Sequence, residues 1–189
     1  MNKELFDRII ACVWKTIEEG GDIDNIDHLA ERCNLDKSIL QKLFPTREKI
    51  ALVLIEDIWQ KLSLPPKSDK LAPRDQIFDA VMMVFDLITP YRLGLKKLTH
   101  NLLLSPTTYF EIAPRLNRFG SDLVKHYYNN EGIFALAIPL AFNTAFGAAF
   151  WTFLDDDTFD LSKTMASLDA SLKTVTSLLS YCPGKGKFE

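Results

Sequence analysis

Apolar residues recur along this chain at intervals of three and four, without alternation at every second position, so the pattern predicts helices throughout. Leu5, Ile9, Cys12, Val13 and Ile17 share one face of a first helix over about residues 3–19, which Gly20-Gly21 stops. Two short helices follow over 26–33 and 37–44, capped by Asp24 or Asn25 and by Asp36. A fourth starts near Thr46 and reaches about Leu62. The stretch LPPKSDKLAPRD, residues 64–75, interrupts the pattern with prolines that no helix interior accepts. Beyond it the spacing predicts helices near 74–88, 91–103, 107–128, 132–154 and 161–180. Pro90 and Pro106 fall in first turns, where a missing N–H costs nothing, whereas Pro114 is expected to kink or break its helix. The fold class read from the pattern is all-α, with about nine helices.

Residues 29–50, LAERCNLDKSILQKLFPTREKI, carry a tighter pattern. Two helices that cross closely need a small residue at their nearest approach, and Ala30 supplies one. Four positions on, the turn between them needs a residue tolerant of left-handed backbone, and Asn34 serves through its short amide. Leu40 falls where the second helix must bury an apolar side chain against the first; Leu29, Cys33, Leu35 and Leu43 complete the cluster. This is the spacing of a helix-turn-helix. On Leu29, Ala30, Leu35, Leu40, Phe44, Arg47, Glu48 and Ile50, the segment 5–60 resembles the DNA-binding region of the TetR family of bacterial repressors. The remainder is similar to that family in architecture alone.

The resemblance implies a three-helix helix-turn-helix domain over 1–45 and a larger helical ligand-binding and dimerisation domain over 46–189. It implies a ligand-responsive transcriptional regulator that meets a palindromic DNA operator through Asn25, Lys37, Ser38, Gln41, Lys42, Thr46 and Arg47. The sequence departs from the family where Gln41 replaces a customary Tyr or Trp, where Asp24 or Asn25 replaces Thr or Ser, and at Ile39. A carboxylate near a phosphate repels it, and Asp22 and Asp27 add to that field. The net charge is −3, and residues 1–60 hold 8 Lys/Arg against 12 Asp/Glu. Phosphate neutralisation supplies most non-specific affinity for DNA. A second reading therefore stays open: a TetR-shaped lipid or isoprenoid carrier with a vestigial helix-turn-helix, similar to the lipid-binding protein of coenzyme Q biosynthesis.

In the last predicted helix Leu161, Met165, Leu168, Leu172, Val175 and Leu179 are spaced alternately by four and three, a seam that wants a partner helix. The helix before it has an aromatic stripe (Phe134, Ile138, Phe142, Phe146, Phe150) and a small one (Ala137, Ala141, Ala145, Ala149). Ala141, Ala145 and Ala149 with Leu161, Met165, Leu168, Leu172 and Val175 are the candidate homodimer interface; an intrachain core is the alternative. Met82, Met83, Phe85, Leu103, Phe110, Phe142 and Phe146 are candidate lining for a small apolar or amphipathic ligand, since methionine and aromatics suit adaptable pockets. The same residues also suit a plain core. Arg92, His100, Tyr109 or His126 could hold a ligand head group.

Composition adds exclusions. With 47% hydrophobic residues the chain can bury a sizeable core and is not disordered. Residues 132–154 are uncharged and long enough to cross a bilayer, but Pro139, Asn143 and Thr144 lie in their middle and basic flanks are missing. They read instead as a helix buried on all sides, with no membrane partner. The acids of MNKELFDRII argue against a secretory signal. Cys12, Cys33 and Cys182 are odd in number and far apart, so a reducing, cytoplasmic setting without disulfides or a metal site is expected. No phosphate-cradling loop, HExxH helix or nucleophile elbow appears, and no two of the three histidines share a helical face at close spacing. Neither an enzyme nor a cofactor is expected.

Overall fold

The computed structural model describes residues 3–23, 25–103, 106–128 and 137–180. Among them are nine α-helices, one 3₁₀ turn and no strand, so the chain is all-α. The helices are α1 (Lys3–Glu18), α2 (Ile26–Cys33), α3 (Lys37–Leu43), α4 (Arg47–Lys61), α5 (Pro73–Ile88), α6 (Arg92–Leu103), α7 (Pro106–Tyr127), α8 (Ala137–Leu154) and α9 (Ser162–Ser180). Pro90 sits in the 3₁₀ turn Thr89–Tyr91, not in an α-helical first turn, while Pro106 opens α7 as its type favours. Pro114 does not break α7, which runs through it.

Two compact units emerge, each drawn from two stretches of sequence: residues 1–61 with 88–115, and residues 62–87 with 116–189. Each unit thus joins stretches distant in sequence. The reason is visible in the first unit, where α4 and the 3₁₀ turn hold α1. Trp14 is 3% exposed; its indole Nε1 donates to Asp57 Oδ2 at 2.5 Å, and its ring lies 4.4 Å from that of Tyr91. A buried indole needs such a partner for its N–H. Ile9, Ile10, Val13 and Ile17 of α1 are buried in the same unit as Leu29, Leu40, Phe44, Ile50 and Leu54. At Gly94 α6 meets α1 so closely that a Cβ would stand 2.4 Å from the carbonyl oxygen of Ile17.

In the second unit the proline-rich stretch is tied down by polar contacts. The Gln76 amide, 5% exposed, accepts from the Ser68 N–H at 2.7 Å and donates to the carbonyls of Ser68 and Leu71, each at 2.9 Å. Tyr127 donates its hydroxyl to the Pro65 carbonyl at 3.1 Å. Helices α8 and α9 pair more extensively than any other two described helices. Their turn is fixed by Asp156, 1% exposed, whose carboxylate accepts from the amides and hydroxyls of Thr158 and Thr164. Burial pushes this carboxyl up, but the four donors outweigh it and hold it well below the usual carboxylate range.

Helix α8 passes the length and composition test for a membrane span, the only described helix to do so. It is not buried on all sides, contrary to the sequence expectation. Ile138, Phe142, Ala145, Ala149 and Phe153 face inward, whereas Leu140 is 60% and Trp151 47% exposed. Its polar middle has a structural use: Asn143 donates to Asn117 Oδ1 of α7 at 2.9 Å, beside Gly120, where a Cβ would collide with the Asn143 amide.

Candidate nucleic-acid interface

Helices α2 and α3 and the start of α4 form a helix-turn-helix whose local geometry follows from its cap residues. Asn25, extended at φ −88°, accepts through Oδ1 from the N–H groups of Asp27 and His28 at 3.0 and 3.2 Å, so it caps α2. Asn34 ends the helix in left-handed backbone at φ 50°, ψ 51°. Its N–H and that of Leu35 return to the carbonyls of Glu31 and Ala30 at 3.1 and 3.0 Å. Asp36 caps α3 by accepting from the Ser38 N–H at 2.8 Å, and this bond holds its carboxyl below the ordinary range. Leu29 and Leu40 are fully buried, and Ala30 and Phe44 nearly so, as the sequence pattern requires. Thr46 Oγ1 accepts from Lys49 N–H at 3.3 Å to start α4.

On α3 the structure brings Lys37, Ser38, Gln41 and Lys42 together, all exposed. Asn25 and Thr46 lie at the helix starts, with their side-chain oxygens engaged in capping. The side chains of Arg47 and Leu103 and the whole of Asp24 and Phe134 lie outside the described residues. Lys37 is not simply presented to solvent: its Nζ lies 2.6 Å from Asp27 Oδ1 of α2. With the partners 47% and 65% exposed, such a pair is worth no more than about 1 kcal/mol and yields to a stronger anion. Gln41 has the amide that can pair bidentately with adenine, and Lys42 a charge that can meet phosphate. Arg32 pairs with Glu19, just past the end of α1, and is thereby directed to the scaffold.

A covalent link departs from the sequence expectation of no disulfide. Cys12 of α1 and Cys33 of α2 are joined, with Cα atoms 5.7 Å apart across a sequence separation of 21. The pairing arises because both cysteines flank the α1–α2 contact. The signal lay in their places on two apolar faces of one three-helix cluster, not in their spacing. Cys182 lies outside the described residues. Among the described residues no group of three His, Cys, Asp or Glu is placed to hold a metal ion.

The residues expected to line a ligand pocket fall differently. Phe85 and Phe142 are fully buried, and Phe85 stacks on Phe146 and Phe153 with centroids 5.6 and 5.0 Å apart. Phe146 also meets Phe119 and Phe150 at 5.7 and 6.3 Å. These rings pack on one another as core. Met82 and Met83 are half-buried, and Phe110 is 78% exposed. An open groove of about 430 Å³ lies between α5 and α9, bounded by Arg74, Asp75, Phe78, Asp79, Met165, Ala166 and Asp169. Its lining mixes three carboxylates with Phe78, Met165 and Ala166, and Arg74 pairs with Asp169.

Of the candidate interface residues, Ala145, Ala149, Leu161, Leu168, Leu172 and Val175 are buried within the single chain. The seam of α9 has found its partner in α8 of the same chain. Ala141 and Met165 are half-buried. The faces left to solvent carry Leu140, Thr144, Ala148 and Trp151 on α8, with Ala166 and Ala170 on α9.

No sequence-family profile matches the chain, and no curated protein matches it in sequence. Its fold is similar to the crystal structure of a TetR transcriptional regulator from Rhodococcus sp. RHA1, with a TM-score of 0.68 over 94% of this chain and 96% of that one. The two sequences are 10% identical, so the likeness is one of fold. The chain has a TetR-like, all-helical fold.

Proposed function

We propose that this protein is a TetR-like, ligand-responsive transcriptional regulator that binds DNA as a homodimer. The observation that supports it most is the α2–Asn34–α3 unit, whose caps and buried leucines present Lys37, Ser38, Gln41 and Lys42 on one exposed helix. Two copies of such a helix read two half-sites of a palindromic operator. The second copy docks on the solvent face of α8, where Leu140 and Trp151 are exposed and Gly147 has nothing within 4 Å of a built Cβ. Large exposed apolar residues on one helix face mark such an interface. A small apolar or amphipathic molecule shifts the dimer between two spacings of its α3 helices by binding one more tightly than the other. The setting is cytoplasmic, where the operator is.

The test is capture of sheared genomic DNA at about 0.1 M salt, low enough for phosphate contacts to persist, with sequencing of what stays bound. Enrichment of a few near-palindromic sites is expected, abolished by Gln41→Ala with Lys42→Ala in a chain of unchanged helicity. Absence of enrichment at lower salt too would overturn the regulator reading. The Lys37–Asp27 pair and the acidic balance of residues 1–60 favour one rival, a lipid or isoprenoid carrier with a vestigial helix-turn-helix. Lipid extraction of the purified protein, followed by mass spectrometry, separates the two. The carrier reading expects a stoichiometric prenyl or acyl lipid and indifference to the Gln41 and Lys42 substitutions.

A further inference from the structure

We propose that Cys12 and Cys33 form a reversible redox modification site whose bond fixes the α2–α3 turn. The bond joins α1 to the last residue of α2, directly before Asn34. Asn34 holds left-handed backbone, and its amide and that of Leu35 are the bonds that set how α3 leaves α2. Anchoring Cys33 to α1 therefore restrains the residue on which that turn hinges. Both cysteines are half-buried, at the edge of the cluster and not enclosed in it. The hydrophobic cluster of Ile9, Val13, Leu29 and Leu40 persists without the bond, so reduction loosens the turn and leaves the unit folded.

The partner is a low-molecular-weight thiol and its disulfide. A thiolate of that partner attacks one sulfur, forming a mixed disulfide and releasing the other cysteine as a thiolate that takes up a proton. A second thiol attacks the mixed disulfide, leaving both cysteines as thiols and the partner as its disulfide. Two electrons and two protons pass from partner to protein, and the reverse restores the bond.

The full-length protein would be equilibrated in glutathione buffers of graded thiol-to-disulfide ratio, then alkylated and mapped by peptide mass. Amide hydrogen exchange would be followed in the same samples. The expected result is coordinate, reversible labelling of Cys12 and Cys33 within the range of those buffers, with native circular dichroism at both ends. Amide exchange at Asn34 and Leu35 should be at least about tenfold faster in the reduced form. Cys12→Ser with Cys33→Ser should show the fast exchange in every buffer. Labelling that appears only on global unfolding would overturn the proposal, as would thiols that never pair, or exchange at Asn34 and Leu35 that ignores the bond. The proposal stands apart from the DNA-binding reading. DNA capture of the two redox forms adds a separate arm: loss on reduction extends both, while no capture of either form sinks the regulator reading alone.

Discussion

At the scale of single residues, the caps do most to specify this fold. Asn34 sits where an L-residue with a branched side chain pays about 1–2 kcal/mol for left-handed backbone. Asn34→Val should lower the urea unfolding free energy by about that much, and Asn34→Gly should leave it within about 0.5 kcal/mol of wild type. Asp156 acts through charge. Its folded carboxyl lies below the ordinary value, so the stability it contributes is complete above the unfolded value near pH 4 and is lost as pH falls through the folded one. Asp156→Asn should cost about 2 kcal/mol at pH 7, and the gap to wild type should narrow steadily in urea titrations toward about pH 2. Asn34 and Asp36 were legible in the sequence, because a cap is a local pattern of one polar residue before or after a periodic run, while the sequence alone leaves the cap of α2 between Asp24 and Asn25. Asp156 is less legible. Nothing in the string DDDTFD tells which of its carboxylates turns inward to Thr164, eight residues away.

At the scale of elements, close helix crossings rest on glycine. The missing Cβ of Gly94 would meet a backbone carbonyl, which cannot swing aside as a side-chain tip does. Gly94→Ala should therefore cost about 1–3 kcal/mol, read as a lower urea midpoint at unchanged slope. Helix positions were legible to within a few residues because a 3.6-residue period survives without knowledge of partners. Which helix meets which was not. The seam Leu161-Leu168-Leu172-Val175 announced a partner, but the same stripe serves a second copy or a neighbouring helix equally well, and here it is α8 of the same chain. The aromatic residues Phe85, Phe142 and Phe146 likewise read as pocket or core, because a ring packs equally well on a ligand or on another ring, as Phe85 does on Phe146. The Cys12–Cys33 bond eluded spacing rules because those rules describe neighbours in sequence, and this pair is brought together by helix packing.

At the scale of the whole molecule, the uncovered side of α8 and the helix-turn-helix lead to two further expectations. Leu140→Asp with Trp151→Asp places two charges on the proposed contact between copies; sedimentation at micromolar concentration should show monomer where wild type shows dimer, with helicity retained. A wild-type monomer would remove that contact from consideration. The second concerns Asp27 and Lys37. A phosphate that reaches Lys37 must first displace a carboxylate that already sits 2.6 Å from it. Asp27→Asn should strengthen DNA retention at fixed salt and steepen its dependence on log salt concentration by roughly one unit per phosphate gained. Asp27 stands to Lys37 as a dissolved anion does. The chain thus carries a share of its own ionic strength, tethered to the surface that would meet DNA, and diluting the buffer cannot wash it away.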